Sequence, residues 1–286
     1  MNSTATGHFF SVDVEEYFQV QALESVVGRE AWDRHPSRVE ASTDRILALL
    51  AEREMTGTFF TLGWIAERFP QLVRRIVAGG HEVASHGYLH RRITTLSPDE
   101  FRDDVRRARA QLEQVAGTEV VGFRAPSFSI VPGMEWAFEI LVEEGYRYDS
   151  SVFPIRRPGY GYPGAPGRPY VISTPAGPLN EFPLATLRVA GLRLPAAGGA
   201  YLRLLPYALC AAALRQSAGR GEPAMTYVHP WEIDDGQPRL DVSRMTHLRH
   251  YGGLAGMEGR LQRLLRDFRF QSVKAWEAGG GWATLP

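Results

Sequence analysis

Residues 8–14 read HFFSVDV, and this stretch decides the fold. This mainly apolar run is predicted to be the first strand. Helical spacing follows at 38–54, a strand rich in Thr and Phe at 57–62, a helix at 64–78 and a short strand at 81–85. Strands alternate with helices, which predicts an α/β fold built from βα units around a parallel sheet or barrel.

The alternation continues to about residue 150. Residues 97–100, SPDE, combine a capping box with a proline at the first helical position, so a helix should begin there. A strand is expected at 119–123, and a further helix should open at Pro132 and close at Gly145.

The composition changes after residue 153. Residues 154–199 hold nine of the 19 prolines and eight of the 29 glycines. We therefore expect 154–223 to be a Pro/Gly-rich insertion of loops and short strands within a single domain of residues 1–286. A helix at 201–216, a strand at 224–228 and a late helix at 254–268 are predicted, with 233–286 forming a C-terminal extension.

Charge and composition exclude several classes of protein. Lys+Arg and Asp+Glu both number 32, and the zero net charge argues against a strongly basic nucleic-acid binder. Cys210 is the one cysteine, which excludes an internal disulfide framework.

The longest apolar run, 204–214, is shorter than the roughly 20 residues of a membrane span. The N-terminus lacks the pattern of a signal peptide: either the chain is not exported by that route or a signal was removed.

Chemically capable side chains stand where predicted strands end. The five are Asp13, His86, Arg124, Asp149 and His229. In a parallel barrel the carboxyl ends of the strands share one face, where catalytic groups gather. We therefore expect these five side chains to meet.

Two pairs within this set suggest a metal site. Asp13 and Glu15 are two residues apart, so in an extended backbone they project to the same side. His86 and His90 are four apart, so on a helical turn both imidazoles would share a face. Two such histidines and a carboxylate would hold zinc or a similar divalent ion and leave a position open for water.

Structural roles are the alternative for each residue. An H-x-x-x-H spacing often arises by chance, and arginines such as Arg124 commonly form surface ion pairs. Asp149 can belong to an ordinary turn, and His229 can be a buried hydrogen-bonded histidine. Trp231 suits either a sugar site or the core.

Several motifs resemble, in chain order, the polysaccharide deacetylases of carbohydrate esterase family 4. They are SVDVEEYF, TGTFFTLGW, HEVASHGYLH, FRAPSFS, YDSSVFP and TYVHPWE, within residues 8–153 and 224–232. The long form of the first and last motifs is similar to the subgroup found in exosortase-linked exopolysaccharide loci. The resemblance implies a distorted (β/α)7 barrel with a C-terminal extension of loops, short strands and helices.

The resemblance also implies a metal-dependent N-deacetylase that acts on N-acetylated oligo- or polysaccharides. Glu15, His86 and His90 would be the metal ligands, with Zn²⁺ the expected ion. Asp13 would be the general base and Arg124 would orient it. We expect a cytoplasmic location, near inner-membrane exopolysaccharide machinery, with no nucleic-acid partner and no transmembrane segment.

The acid side of the site is implied in the same way. His229 would protonate the leaving amine, and Asp149 would pair with His229 and keep it protonated. The backbone N–H near Ser127 would help to stabilise the oxyanion, and Trp231 would contact the sugar.

The sequence departs from the family pattern in three places. Val14 separates Asp13 from Glu15, whereas two adjacent aspartates are usual, and Glu15 replaces the second aspartate. Ser127 stands where a tyrosine is usual, and the fourth motif lacks its tryptophan, with Phe153 nearby. Glu16 is a weaker candidate ligand.

Three functions therefore stay open on the sequence. The first is N-deacetylation of a bacterial exopolysaccharide. The second is hydrolysis of a cyclic amide, imide or ureide on the same fold, because some relatives carry the spaced acidic motif. The third is a sugar-binding or scaffold protein with a degenerate site.

Overall fold

Strand β1 (His8–Val14) lies inside the main sheet of a computed structural model that describes residues 7–157, 159–196 and 198–281. All seven residues of β1 are buried, as its apolar run predicts. It pairs in parallel with β2 (Thr58–Thr61) on one side and with β10 (Met225–Val228) on the other. β1 is thus hydrogen-bonded to one strand that is close in sequence, β2, and to one that is distant in sequence, β10.

The other strands are β3 (Glu82–Ser85), β4 (Gly122–Phe123), β5 (Tyr148–Asp149), β6 (Tyr170–Thr174), β7 (Gly177–Glu181), β8 (Thr186–Val189), β9 (Leu192–Pro195) and β11 (Phe270–Gln271). The helices are α1 (Val39–Ala51), α2 (Gly63–Arg68), α3 (Pro70–Ala78), α4 (Pro98–Ala116), α5 (Trp136–Glu143), α6 (Gly199–Leu204), α7 (Tyr207–Ala218), α8 (Arg244–Tyr251), α9 (Met257–Asp267) and α10 (Val273–Ala278).

The sheet follows the order β10-β1-β2-β3-β4-β5-β7-β6, with β11 beside the start of β1. Its first seven strands are parallel, and β6 is antiparallel to β7. An isolated parallel bridge between Leu184, just past β7, and Met225 of β10 joins the two ends of this row. The predicted α/β fold is confirmed, and the seven parallel strands curve round as a distorted (β/α)7 barrel requires.

Prolines divide two of the predicted helices. The stretch 64–78 is split into α2 and α3 at Pro70, and 201–216 is split into α6 and α7 at Pro206. A proline has no N–H to donate within a helix, so it favours the first turn of a new helix. The helix predicted from 97–100 is confirmed as α4, with both hydrogen bonds of the capping box present.

The predicted strand 119–123 is shorter than expected. β4 contains Gly122 and Phe123, because the backbone N–H of Val120 donates to the Glu113 carboxylate at 3.0 Å instead of to a neighbouring strand.

The stretch 154–223 contains short strands and helical segments, as its sequence predicts, and one of its strands joins the main sheet. It carries β6 to β9 together with α6 and α7, and β7 pairs in parallel with β5. This part of the chain therefore contributes a strand to the barrel as well as covering it.

Two buried histidines act as hydrogen-bond acceptors in the barrel wall. The Nδ1 atom of His8 accepts from the N–H of Ala224 at 3.3 Å, and Nδ1 of His81 accepts from Gly57 at 3.2 Å. Burial lowers the pKa of each imidazole to about 4. Both histidines are therefore neutral in the folded protein at physiological pH.

Folding should weaken as the pH falls from about 6.5 towards 4. In that range the unfolded chain takes up protons on His8 and His81 and the folded chain does not, so each histidine should cost about 2 kcal/mol between pH 7 and pH 5. Urea unfolding at the two pH values measures this loss. A His81→Gln variant keeps an acceptor and should lose less stability on acidification, whereas a variant of exposed His247 to Gln should match the wild type. Equal losses in all three proteins would contradict the assignment.

Candidate active site

Arg124 is the residue around which the site is built. It follows β4, its side chain is 0% exposed, and its guanidinium donates to Asp13 Oδ1 at 2.6 Å and to Ser11 Oγ at 2.8 Å. The same group donates from Nε to the carbonyl of Ser150 at 3.1 Å and from Nη2 to Ser150 Oγ at 2.8 Å. Arg124 therefore joins the ends of β1, β4 and β5, and it is not the surface ion pair that the sequence left open.

Glu15, His86 and His90 converge at the same face. One potential ligand atom from each residue lies within 4.8 Å of the other two, and all three side chains are buried. Asp13 lies outside this trio and is bound to Arg124. The structure thus brings together the three side chains expected as metal ligands.

The chemistry of this trio fits a divalent metal. Nδ1 of His86 contacts the carbonyl of Arg124 at 2.8 Å, which leaves Nε2 as the free ring nitrogen. Glu15 Oε2 lies 2.8 Å from Nε2 of His90, within ion-pair distance. A carboxylate oxygen and an imidazole nitrogen this close together are suitably placed to share an ion.

The electrostatics favour the ligating forms of these groups. Burial and the neighbouring His90 hold the pKa of His86 well below its usual range, so that imidazole is neutral. Burial opposes ionisation of Glu15, but the charges of His90 and His229 lower its pKa overall. A neutral imidazole beside a carboxylate is the state that a metal requires.

The expected helical turn between the two histidines is wrong. Residues 86–92 form a loop, in which Gly87 has φ +75° and His90 has φ +50°. A Cβ atom on Gly87 would lie 2.8 Å from Oδ2 of Asp104, so the left-handed turn also needs the absence of a side chain. The imidazoles nevertheless meet, with ring centroids 5.3 Å apart.

The expected pairing of Asp149 with His229 is also wrong. The partner of His229 is Glu232, whose Oε2 lies 3.1 Å from Nδ1 of His229. The other oxygen of Glu232 accepts from Arg203 of α6 at 2.6 Å, and both of these charged side chains are buried. Glu232 and Arg203 were missed from the sequence, although Glu232 stands only three residues after His229 in the motif HPWE.

The charges of Arg203 and Glu232 control the protonation of His229. Burial opposes ionisation of Glu232, but Arg203 lowers its pKa to about 2. Burial likewise disfavours a charged imidazole, but Glu232, followed by Glu15, raises the pKa of His229 to about 9. Nε2 of His229 lies 3.6 Å from Glu15 Oε1 and 3.9 Å from Asp13 Oδ2, and the side chain is 18% exposed.

Asp149 has a different set of partners. Its carboxylate accepts from the hydroxyl of Ser151 at 2.6 Å and from the Ser151 N–H at 3.0 Å. Its partner in register on β7 is Glu181, and both side chains are fully buried. Burial and the Asp149 charge raise the pKa of Glu181 well above its usual range, so this pair of carboxyl groups retains a proton.

Trp231 contacts Glu15, one of the candidate metal ligands, and its expected contact with a sugar stays a prediction. Its ring is buried between His229 and His250, at centroid distances of 5.0 and 4.4 Å. The indole N–H donates to Glu15 Oε1 at 3.1 Å and so fixes that carboxylate. His250, to which the sequence gave no role, thereby belongs to the wall of the site.

Ser127 lies in the turn Pro126–Phe128, directly after the Arg124 segment. Ser127 and Phe128 both have left-handed backbones, with φ of +57° and +52°. Strain of this kind clusters at functional sites. The expected role of the Ser127 backbone stays a prediction.

Glu16 serves the fold. Its carboxylate accepts from the backbone N–H groups of Arg38 and Val39 and from the hydroxyl of Ser37, at the start of α1. A carboxylate at a helix N-terminus is electrostatically favourable. Glu16 is therefore not positioned as a metal ligand.

Comparison with known proteins extends these observations. Residues 31–137 match the family model described as "Polysaccharide deacetylase", and residues 150–277 match "Domain of unknown function (DUF3473)". A peptidoglycan-N-acetylglucosamine deacetylase of Bacillus cereus is 34% identical over 98 residues, which cover 34% of this chain and 36% of that protein. The chain spans about a third of the length of the curated relatives it matches.

Solved structures support the fold over the whole chain. A Mycobacterium smegmatis protein assigned as a polysaccharide deacetylase superposes with a TM-score of 0.67 at 20% identity, covering 100% of this chain and 94% of that one. Puue allantoinase superposes with a TM-score of 0.58 at 18% identity, covering 94% and 89%. Residues 31–137 are thus similar in sequence to polysaccharide deacetylases, and the chain shares its fold with both solved structures.

Proposed function

We propose that this chain is a metal-dependent hydrolase that removes N-acetyl groups from amino sugars of a bacterial exopolysaccharide. The observation that carries the proposal is the separation of two neighbouring carboxylates. Glu15 joins His86 and His90, whereas Asp13 stays outside that trio and is held by Arg124. A ligand set beside an unligated carboxylate suits hydrolysis of an amide by an activated water.

Asp13 is suited to act as the general base. Arg124 occupies Oδ1 of Asp13, so Oδ2 is the oxygen that faces His229 and can accept a proton from water.

His229 is suited to act as the general acid. Glu232 fixes the ring through Nδ1 and leaves Nε2 directed between Asp13 and Glu15. His229 is more exposed than the carboxylates beside it, so a leaving nitrogen can reach Nε2. The base and the acid are then two different groups with different charged partners, Arg124 for one and Glu232 for the other.

Glu15, His86 and His90 would hold the metal, for which zinc fits the ligand types. When bound, such an ion supplies Lewis-acid polarisation of the amide carbonyl and a water of lowered pKa. The indole of Trp231 and the carbonyl of Arg124 orient two of these ligands through their remaining polar atoms.

The substrate class rests on similarity. The similar curated proteins are named as peptidoglycan and chitooligosaccharide deacetylases, which act on N-acetylated sugars. The likeness of the first and last motifs to exopolysaccharide-locus proteins directs the proposal to an exopolysaccharide. A cyclic amide or imide is the second candidate, because Val14 separates Asp13 from Glu15 where adjacent acids are usual.

Acetate release should separate these candidates. The metal-loaded protein is expected to release acetate from N-acetylglucosamine oligosaccharides and to leave hydantoin-type cyclic imides intact. Asp13→Asn should lower the rate roughly 100-fold or more, because a general base is lost. If only the cyclic imides are hydrolysed, the second candidate function replaces the first. If the protein binds metal but hydrolyses neither substrate, both candidate functions are refuted.

The two candidate partners of His229 can be compared directly. Glu232→Gln should lower kcat roughly 100-fold, because Gln removes the negative charge that faces Nδ1 of His229. Asp149→Asn should keep kcat close to the wild-type value, since Asp149 bonds to Ser151 and Glu181. Steady-state kinetics on one oligosaccharide, with melting temperatures to verify folding, give the comparison. The opposite order of effects would restore Asp149 as the partner.

Metal binding should depend on Glu15 and not on its neighbour. Glu15→Gln is expected to weaken Zn²⁺ binding by more than about 100-fold, because loss of a direct ligand exceeds the 10–100-fold cost of losing an outer contact. Glu16→Gln is the matched control and should bind Zn²⁺ as the wild type does. Calorimetric titration of the metal-free proteins measures both, independently of activity. Equal affinity of the two variants would refute the ligand set.

A further inference from the structure

The hairpin of β8 and β9 presents an uncharged tip between two arginines. The two strands form a sheet of their own, and Ala190 and Gly191 make the turn with φ of +47° and +81°. Val189 and Leu192 face each other across the turn and are 49% and 68% exposed. Residues 189–192, which we call the hairpin tip, thus display apolar side chains to solvent.

The next pair behind the tip is Arg188 opposite Arg193. Like charges directly opposite each other on a hairpin are unfavourable. Neither guanidinium has a carboxylate within ion-pair distance in the part of the chain that the structure describes. Burial and the charges of Arg188 and Arg220 lower the pKa of Arg193.

The surrounding charge has the same sign. Arg168 and Arg220 share one acid, Glu222, at 4.0 and 2.7 Å. Four arginines with one carboxylate therefore make a cationic cluster around Arg193. Such a cluster is suited to anionic phosphate groups.

The hairpin is fixed to the body of the protein. The side-chain amide of Gln216 in α7 pairs with the N–H and the carbonyl of Arg188, both at 3.0 Å. Leu187 is buried in a small cluster with Ala196 and Ala213. A supported tip loses little conformational freedom on binding, which favours its use as a docking element.

We propose that the hairpin tip and its arginines bind the surface of an anionic lipid bilayer. The tip would enter the headgroup region, and Arg188 and Arg193, one residue pair behind it, would meet the lipid phosphates. Strand residues rise about 3.3 Å each, so the turn at Ala190 and Gly191 lies about 7 Å beyond the two arginines, within the roughly 5–10 Å that interfacial segments enter. None of the helices in residues 7–157, 159–196 and 198–281 has the length and hydropathy of a membrane span, so this contact is peripheral. The inference is independent of the proposed deacetylation.

Co-sedimentation of the full chain with lipid vesicles tests the proposal. Binding is expected on vesicles of phosphatidylcholine with 40% phosphatidylglycerol, weaker binding on phosphatidylcholine alone, and a loss as salt is raised. Arg188→Gln and Arg193→Gln should each weaken binding roughly fivefold, since an arginine near the surface contributes about 1 kcal/mol. Val189→Ser combined with Leu192→Ser should weaken it further.

Matched variants decide whether the hairpin is responsible. Met245→Ser with Leu248→Ser removes side chains that are 74% and 60% exposed on α8, and should leave vesicle binding unchanged. Arg34→Gln with Arg74→Gln removes two exposed arginines elsewhere and should also have little effect.

Three results would overturn the proposal. The first is no binding to the phosphatidylglycerol vesicles at low salt. The second is binding that needs the arginines but not the tip, which would indicate adsorption of any polyanion. The third is a wild-type dimer, seen by light scattering, that the tip variant converts to a monomer without vesicle binding, which would make the tip a contact between two copies of the chain.

Discussion

The buried ion pair of Arg124 and Asp13 is the constraint on which the site depends. A guanidinium has five N–H donors and cannot lose its charge, so inside a barrel it must be fully surrounded by acceptors. Ser11 and Ser150 complete that shell, and the Arg124 carbonyl in turn holds His86. One residue therefore fixes a carboxylate from β1 and the loop that carries the two histidines proposed as metal ligands. Removing Asp13 would leave an unpaired cation in the core, a cost of roughly 3–5 kcal/mol.

The same pair explains why two acids from one strand can have different roles. Asp13 and Glu15 project to the same side of β1, where two carboxylates would repel each other. The positive charge of Arg124 balances the negative charge of Asp13. His229 and the Trp231 indole contact Oε1 of Glu15, whereas Oε2 faces His90, a candidate ligand. The negative charge of Glu15 is therefore the one that a bound cation would balance, and this supports the division into a base and a ligand.

The sequence predicted which face the functional groups share, but not all of their pairings. Parallel strands bring their carboxyl ends together, so Asp13, His86, Arg124 and His229 could be placed from position alone. Strand position does not fix the neighbour across the sheet: Asp149 meets Glu181, which lies in a Pro/Gly-rich stretch where a barrel strand was not expected. Nor does a motif reveal a contact from a distant helix, as Arg203 makes with Glu232. The left-handed turn at His90 was hidden because spacing alone cannot separate a helical turn from a loop.

The distribution of the site along the chain bears on how the protein is organised. Asp13 and Glu15 precede both segments that match family models. His86 and His90 lie in the first segment, and His229, Glu232 and Arg203 lie in the second. β1, which carries the two acids, is hydrogen-bonded between β2 from the first part of the chain and β10 from the last. A cut between the segments would expose the edge of β1 that pairs with β10 and would remove His229 from beside Asp13 and Glu15. We therefore propose that the whole described chain folds as one unit, because neither matched segment can complete the barrel or the site without the other.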